Sequence, residues 1–478
     1  MTGLNEIHWD VGSKTSVPIP HPLLHDIPPH VRLYTTLNCD AWEASRSMAF
    51  EALSEPHRQA REFLSRLVEN QNLFCLSVKI LYVEEIICAE TAHYLKRVLL
   101  SCSNLTRIPK LHIWVPQEPN QCETWTALPW KQYCGLGLSG GERLPALEEL
   151  NTPKYPWGGK LHHPQDIGYS YYTLGYPEKG SEQQYWADRF DWSRMLTLKS
   201  LPSEIALEIA PKLVNLKEFV FEDNGCSKGA EILEEIPLGL ECLSLQSWDD
   251  PVNSLPTDEH LMGLYDGIPH LESLTIDLDR DKNGNDWPYR ALEPIARIPR
   301  LRRLELWFPL GEKSNEAPMP HLTIFAARHL FRYLRERNQN IQRLELHSGA
   351  PITRWCHFFG SCQDFWAKEN ALSLVCDVSV LEGAVTDGFS RVTCPNLSSD
   401  WNAELVRLAN GNKARSGVLS EEAKAWPLPL KVALDGPLTT GEWAEWKFIK
   451  DIVAEKAYRR GKSVFWKSVA KASSCLRI

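Results

Sequence analysis

The sequence lacks a hydrophobic run long enough to cross a membrane, which requires about 18 consecutive apolar residues. The longest apolar stretch near the start, residues 73–88, is interrupted by Lys79, Glu84 and Glu85. The first thirty residues also lack the basic and then apolar pattern of a secretory signal, because residues 1–10 are polar and acidic. We therefore expect no membrane span and a location in the cytosol or nucleus.

An excess of positive charge is also missing. The formal net charge is -9 over 478 residues, which argues against general nucleic-acid binding because that requires a basic face. Hydrophobic residues make up 43% of the chain and charged residues 24%, a balance typical of a globular protein rather than a disordered one. A chain of this length forms several ordinary domains or one continuous repeat array.

The cysteine content gives little support for a disulfide framework. The 13 cysteines are an odd number scattered along the chain, and several, including Cys75, Cys242 and Cys376, lie inside apolar runs. This pattern predicts buried free thiols in a reducing compartment. A disulfide framework is the alternative.

One short phrase recurs along the chain, with apolar residues at its first, fourth and sixth positions. Its last three positions alternate, which is typical of a short strand with one apolar side. A single unit of this kind cannot bury that side, so neighbouring units must stack around a shared core. The phrase resembles the L-x-x-L-x-L of leucine-rich repeats. Its clearest copies are Leu73, Leu76 and Val78; Ile108, Leu111 and Ile113; Leu216, Phe219 and Phe221; Leu240, Leu243 and Leu245; Leu271, Leu274 and Ile276; Leu301, Leu304 and Leu306; and Ile341, Leu344 and Leu346.

The segments between these copies predict helices over residues 228–236, 260–265, 289–298 and 321–337. The spacing of the copies varies from 24 residues (216 to 240) to 40 residues (301 to 341), so the repeats are degenerate. The pattern predicts an α/β fold, an irregular leucine-rich-repeat solenoid with a parallel sheet on its concave side and helices on its convex side. An unrelated α/β domain with leucine-rich strands is the alternative.

The predicted solenoid spans residues 31–393, between an N-terminal flank at 1–30 and a C-terminal capping segment at 394–478. Residues 120–188 form an insertion whose centre, 153–177, predicts a long loop that is either a binding element or an inert cover. The aromatic residues of this loop are Tyr155, Trp157, Tyr169, Tyr171, Tyr172 and Tyr176.

The end of the chain is basic. It predicts either docking to an acidic partner or membrane surface, or a solvated capping helix. Its basic residues are Lys456, Arg459, Arg460, Lys462, Lys467, Lys471 and Arg477.

Three motifs resemble chemical sites. Residues 137–141 match the G-x-S-x-G of a serine hydrolase around Ser139, but the preceding residues 130–134 do not form a buried strand pattern. Residues 279–284 match the start of a calcium loop, whose twelfth position is Arg290 instead of glutamate. Residues 356–362 hold two cysteines and a histidine without the second close pair of a zinc site. We predict no catalytic residue, metal or cofactor, and keep a hydrolase centred on Ser139 as the alternative.

Residues 190–224 and 92–111, together with the later phrases, resemble the repeat portion of fungal F-box/leucine-rich-repeat-like proteins, over residues 31–380. The resemblance implies a ubiquitin-ligase adaptor, in which an F-box docks to the ligase and the repeats hold the substrate. An F-box begins near L-P-x-E-I, and residues 201–205 have this pattern. Because Leu213 and Leu216 lead directly into a repeat strand, we interpret residues 201–213 as a repeat helix and identify no F-box.

The predicted function is that of a protein–protein interaction scaffold or receptor, with the repeat strands forming the binding face. The candidate binding residues are the outward ones of each phrase. They are Glu218, Val220, Ser244, Ser273, Thr275, Arg303, Glu305, Arg343 and Glu345.

Overall fold

The protein has an α/β fold in which thirteen strands form an open, mostly parallel sheet, accompanied by nine α-helices in the part of the chain described here. The computed structural model describes residues 4–11, 24, 26–39, 51–81, 85–114, 136, 138, 141–153, 155, 182–201, 203–223, 235, 239–247, 258–278, 286–308, 310, 319–349, 366, 369–378, 390–410, 427–439 and 442–443. Within these residues, we find no helix of the length and apolar character that a membrane crossing requires. The chain divides into two compact units, Met1–Ser273 and Leu274–Ile478.

The first unit contains eight strands that follow one another in chain order and pair in parallel. They are β1(Glu6–Val11), β2(Arg32–Cys39), β3(Leu73–Leu81), β4(Arg107–Trp114), β5(Glu149–Asn151), β6(Thr197–Lys199), β7(Glu218–Asp223) and β8(Cys242–Ser247). Parallel neighbours need a crossover, and helices of this unit lie between the strands. They are α1(Glu51–Leu67), α2(Glu85–Ser101), α3(Glu182–Asp188) and α4(Ser203–Ile209), with a 3-10 turn at Ala210–Lys212; a fifth helix, α5(Asp258–Gly267), follows β8.

The LPSEI segment belongs to one of these crossovers. Helix α4 and the 3-10 turn after it connect β6 to β7, so most of residues 201–213 is helical, while its membership of a leucine-rich repeat stays a prediction. Ile205 and Ile209 of this helix are buried and contribute to the core of the unit.

Strand β9(Ser273–Asp277) begins at the last residue of the first unit, and its other residues belong to the second. The second unit also contains β10(Arg303–Phe308), β11(Arg343–Ser348), β12(Leu372–Val378) and β13(Ser390–Thr393). Its helices are α6(Tyr289–Arg297), α7(Ile324–Arg337), α8(Ser399–Asn410) and α9(Leu428–Asp435). Helix α7 begins where the Thr323 hydroxyl accepts a hydrogen bond from the Ala326 amide at 3.3 Å, and its buried residues recur every three or four positions. This helix contacts α6, β12 and β13.

The recurring phrases form the dry side of the strands, as the sequence predicts. Every apolar residue of the seven phrases is buried, with at most 7% of its surface exposed, while the residues between them on the strands keep more exposure. Parallel pairing aligns equivalent positions, since Leu304 lies opposite Leu344 and Leu306 opposite Leu346. Matching leucines therefore stack from one strand to the next in each unit.

Asparagine side chains join successive turns within each unit. In each case the side-chain amide nitrogen, which lies in the turn before one strand, donates to a backbone carbonyl in the turn before the preceding strand. The bonds are Asn72 to Val31 (2.9 Å), Asn104 to Gln71 (2.7 Å) and Asn215 to Ser193 (2.7 Å) in the first unit, and Asn338 to Ile298 (2.7 Å) and Asn340 to Pro299 (2.9 Å) in the second.

The structure departs from the predicted parallel sheet at its last two strands. Strand β12 is antiparallel to β11, and β13 is antiparallel to β12. Gly349 follows β11 with a φ of 94°, and a Cβ there would lie 3.1 Å from the Cβ of Ala371, which precedes β12. The chain thus enters β12 at the end where β11 stops, which imposes the antiparallel direction and favours glycine at this position.

The predicted buried thiols are confirmed at Cys75 and Cys376, whereas Cys242 is only partly buried. Cys242 begins β8 opposite Glu218, so it shares the outward side of the strand. Burial raises the pKa of Cys376 to about 12 and that of Cys75 to about 11. A thiol with such a pKa forms almost no reactive thiolate at neutral pH.

We expect Cys376 and Cys75 to react with iodoacetamide at least about 100-fold more slowly in the folded protein than after denaturation, because burial suppresses both access and thiolate formation. Peptide-resolved mass spectrometry after timed alkylation measures each site separately. Cys242 is the internal control and reacts faster than both. Equal rates for the three thiols in the folded chain would contradict the prediction.

Candidate binding face

All nine predicted binding residues lie on the outward side of their strands. In the first unit, Glu218, Val220, Ser244 and Ser273 are half-buried and alternate with fully buried apolar residues. In the second unit, Arg303 is exposed, and the remaining four are half-buried: Thr275, Glu305, Arg343 and Glu345. These side chains therefore point away from the buried side of their strands, while their role in binding stays a prediction.

The outward side chains of the first unit pair across neighbouring strands. Lys199 on β6 donates to Glu218 on β7 at 2.6 Å, and Thr197 donates to the other oxygen of the same carboxylate at 3.4 Å. Arg107 on β4 donates to Glu149 on β5 at 2.6 Å, and this bond raises the pKa of the Arg107 guanidinium. These pairs hold charged groups in fixed positions on the strand side that faces away from the core.

An aromatic group that the sequence does not predict lies on the outward side of β1–β3. The ring of His8 stacks on Tyr34 with 4.5 Å between centroids, and Tyr34 contacts Phe74 at 5.5 Å. The guanidinium of Arg32 lies 4.4 Å from the centroid of Phe74. The Tyr34 hydroxyl donates to Glu6 at 3.1 Å, and burial, followed by this bond, raises its pKa.

The second unit carries a connected group of outward side chains, which we name the Glu305 cluster: Thr275, Glu305, Trp307, His347 and Ser373. The Trp307 indole donates to Glu305 Oε1 at 2.7 Å, and the Thr275 hydroxyl donates to Oε2 at 3.1 Å. His347 stacks on Trp307 with 3.9 Å between ring centroids and 12° between ring planes. Its Nδ1 atom lies 2.8 Å from the Ser373 hydroxyl.

Strand register produces this cluster. Trp307 lies directly opposite His347 in the parallel pair β10–β11, and His347 lies directly opposite Ser373 in the antiparallel pair β11–β12. Side chains that are opposite each other on one side of a sheet come into direct contact. Of the five residues, the sequence pointed to Thr275 and Glu305 only.

The same side of the second unit carries a second charged group beside the cluster. Arg343 donates to Glu345 at 2.7 Å, and one of its terminal nitrogens lies 3.6 Å from Asp377 on β12. The bond to Glu345 is the largest influence on Arg343 and raises its pKa. Both signs of charge therefore lie close together on this strand side.

The carboxylate of Glu305 stays ionised despite its partial burial. Burial raises the pKa of Glu305, but the interactions with His347, Trp307 and Thr275 outweigh it and hold the pKa below its usual value. Since the pKa is lower in the folded chain, the ionised carboxylate stabilises the fold above the usual glutamate pKa of about 4.3. This contribution is lost as the pH falls through the folded-state pKa.

We expect Glu305→Gln to flatten the acid side of the stability profile. The wild type loses unfolding free energy more steeply than the variant as the pH falls below about 4.3, because only the wild type must protonate this carboxylate. Urea denaturation at a series of pH values measures the difference. Glu336→Gln, on the exposed side of α7, is the matched control. Parallel profiles for wild type and Glu305→Gln would refute the prediction.

Several sequence predictions lie outside the described residues. These are Ser139, the calcium-like residues 279–284, the cysteines and histidine at 356–362, and the basic residues from Lys456 onward. Among the residues with assigned positions, no group of histidines, cysteines and carboxylates is arranged to hold a metal ion.

Tyr155, an interface candidate of the 120–188 insertion, is instead buried. It is 5% exposed and contacts the ring of Trp186, with 6.5 Å between centroids. Its hydroxyl accepts a hydrogen bond from the Leu136 amide at 3.0 Å, so the hydroxyl has a partner inside the protein. The other aromatic residues of the loop, Trp157, Tyr169, Tyr171, Tyr172 and Tyr176, lie outside the described residues.

Neither the family models nor the curated proteins include a match to this sequence. The function is therefore inferred from the outward strand side of each unit and from the chemistry of its side chains.

Proposed function

We propose that the chain is a protein-interaction protein whose units are stacks of leucine-rich repeats, and that it binds a partner protein through the outward side of its strands. This is the side that lines the hollow of a leucine-rich-repeat solenoid. The observation that carries the proposal is the alternation along the strands: every phrase residue is buried, while the intervening predicted residues keep partial or full exposure.

The chemistry of this face favours a polypeptide partner. In the second unit it combines Arg303, Arg343 and Glu345 with the aromatic rings of Trp307 and His347. Arginine and tryptophan are enriched among the residues that dominate protein–protein binding energy. Hydrogen bonds to Glu305 and Glu345, each on the donor's own strand, already order the Trp307 indole and Arg343, so binding immobilises fewer flexible side chains.

The resemblance to F-box/leucine-rich-repeat-like proteins suggests a class of partner. In such proteins the repeats hold the substrate of a ubiquitin ligase, and we propose substrate-type recognition for this chain as well. The one F-box-like phrase, at residues 201–205, is part of the crossover from β6 to β7. Docking to a ligase through this phrase is therefore not part of the proposal.

The test compares strand-side and helix-side variants of the full-length protein. Arg303→Glu reverses a charge on the strand side of the second unit, and Ser244→Arg adds a bulky cation to the strand side of the first. Arg332→Glu, on the exposed side of α7, reverses the same type of charge away from that face. Each tagged protein is cross-linked in a cell lysate, purified and analysed by quantitative mass spectrometry.

We expect a partner protein to be captured in equal amounts by the wild type and by Arg332→Glu. The amount captured by at least one of the two strand-side variants should be at least about 10-fold lower. A loss of this size corresponds to about 1.4 kcal/mol of binding free energy, within the range for a single important interface residue. Thermal melts verify that the variants fold. The proposal fails if no protein is enriched, or if all three variants recover it equally.

A further inference from the structure

Three side chains of the Glu305 cluster form a continuous polar chain across three adjacent strands. The Ser373 hydroxyl lies 2.8 Å from Nδ1 of His347, and Nε2 of the same ring lies 3.3 Å from the Glu305 carboxylate. The order is hydroxyl, imidazole and carboxylate. This set of groups activates a serine oxygen in acyl-transfer sites on unrelated folds, which are recognised by geometry rather than by sequence position.

The surroundings of His347 define which ring nitrogen acts as the base. Nε2 is buried and has no aligned hydrogen bond, and the carboxylate of Glu305 is the anionic group facing it. A proton on Nε2 is therefore directed toward a negative charge, which leaves Nδ1 free to accept the hydrogen bond from Ser373. Trp307 stacks against the ring at 3.9 Å and fixes its plane. Ser373 itself is half-buried, so part of this residue is open to solvent.

We propose that Ser373 is an activated nucleophile that accepts an acyl group from a small carboxylic ester. The Ser373 oxygen attacks the ester carbonyl carbon while its proton moves to Nδ1 of His347, and the resulting imidazolium is stabilised by the Glu305 carboxylate. The C–O bond to the leaving alcohol then breaks, and the alcohol takes the proton from Nδ1. The products are an O-acyl serine and a free alcohol. This chemistry is independent of partner binding.

The structure separates the roles of the three residues. Ser373 and His347 touch the reacting atoms, whereas Glu305 acts through His347 and is a positioning residue. A serine and a histidine that merely joined β11 to β12 would show no special reactivity. Ser103 provides the matched comparison, because its exposed hydroxyl donates at 2.8 Å to the side-chain oxygen of Gln71, which cannot accept a proton at neutral pH.

The test uses p-nitrophenyl acetate on the full-length protein. We expect one rapid burst of p-nitrophenolate per chain and an acetyl group on the peptide containing Ser373, identified by mass spectrometry. Ser373→Ala abolishes the burst and Ser103→Ala leaves it unchanged. His347→Gln slows acylation about 100-fold, the size expected when a general base is removed. Circular dichroism and thermal melts verify folding of each variant.

Glu305→Gln provides the readout that a purely structural role would not change. It moves the pH profile of the acylation rate to lower pH, because the imidazolium loses its anionic neighbour. Glu305→Asp restores part of the wild-type profile. The proposal is overturned if acetylation occurs equally on Ser103 and Ser373, if the burst survives Ser373→Ala, or if Glu305→Gln leaves the pH profile in place.

Discussion

Replacing Trp186 by alanine is expected to lower the free energy of unfolding of the first unit by about 3–5 kcal/mol, the usual range for deleting a fully buried aromatic side chain. Trp186 is completely buried in α3 and lies at the centre of a group of aromatic rings. The centroid distances are 5.0 Å to Phe190, 6.1 Å to Trp192 and to Tyr185, and 6.5 Å to Tyr155.

This group also connects distant parts of the first unit. The Trp192 indole donates to the Trp186 carbonyl at 2.7 Å, and the Tyr185 hydroxyl accepts from the Leu144 amide at 3.0 Å. A cavity at Trp186 would remove ring contacts on several sides at once. We therefore expect a cost near the upper end of the range.

Urea denaturation monitored by tryptophan fluorescence and circular dichroism measures the change in unfolding free energy. Leu196→Ala is the control, because Leu196 is 40% exposed and its truncation leaves no closed cavity. We expect that variant to change the unfolding free energy by less than about 1 kcal/mol. A loss of similar size in both variants would show that the aromatic group is not a centre of stability.

The repeat strands could be predicted from sequence because their signal is local. A phrase such as Leu301, Leu304 and Leu306 specifies its own strand and its own buried side, and stacking then requires only that the next phrase do the same. The outward positions follow directly from the alternation of the strand. This explains why all nine predicted residues point away from the core.

The Glu305 cluster could not be predicted in the same way, because it depends on register. Thr275 and Glu305 are 30 residues apart in the sequence. His347 and Ser373 are 26 residues apart and lie on two antiparallel strands, β11 and β12. A one-residue slip of β12 against β11 would turn Ser373 to the opposite side of the sheet. The sequence around Ser373 contains no feature that indicates antiparallel pairing. The direction of β12 follows from the backbone conformation at Gly349, which only the structure shows.

Strand β1 could not be predicted from the sequence for another reason. Strand β1 belongs to the segment that the sequence suggested was a flank, yet it pairs in parallel with β2 along six residues, from Glu6 with Arg32 to Val11 with Leu37. Its outward residues include Glu6 and His8, and the repeat phrase is absent. Tertiary pairing with β2, rather than a local apolar pattern, makes this segment a strand.

Asn370→Ala is expected to lower the free energy of unfolding of the second unit by about 1–3 kcal/mol, because it leaves the buried Leu438 amide without its partner and removes a second bond to the Trp366 carbonyl. The side chain of Asn370 is fully buried. Its amide nitrogen donates to the Trp366 carbonyl at 2.9 Å, and its oxygen accepts from the Leu438 amide at 2.8 Å. No alanine side chain can replace either bond.

The bonds of Asn370 hold the segment that follows α9, so the loss of these bonds should loosen that segment. The Trp366 indole donates to the Leu438 carbonyl at 2.8 Å, so side chains from residues 366 and 370 hold both backbone groups of Leu438. Leu438 follows α9, and the link joins two segments 68 residues apart within the second unit. We therefore expect the segment at 427–439 to open more often in the variant, which hydrogen exchange with mass spectrometry detects as faster exchange there.

Asn340→Ala is the matched control for this prediction. Asn340 also donates its amide to a backbone carbonyl, that of Pro299 at 2.9 Å, but it is exposed and water can replace the lost bond. Its expected cost is about 0.5–1.5 kcal/mol, the net value of one ordinary hydrogen bond. The comparison isolates burial as the cause, because both variants remove the same amide. If Asn370→Ala costs no more than Asn340→Ala, or if exchange at 427–439 does not change, Asn370 does not hold the C-terminal helix segment in place.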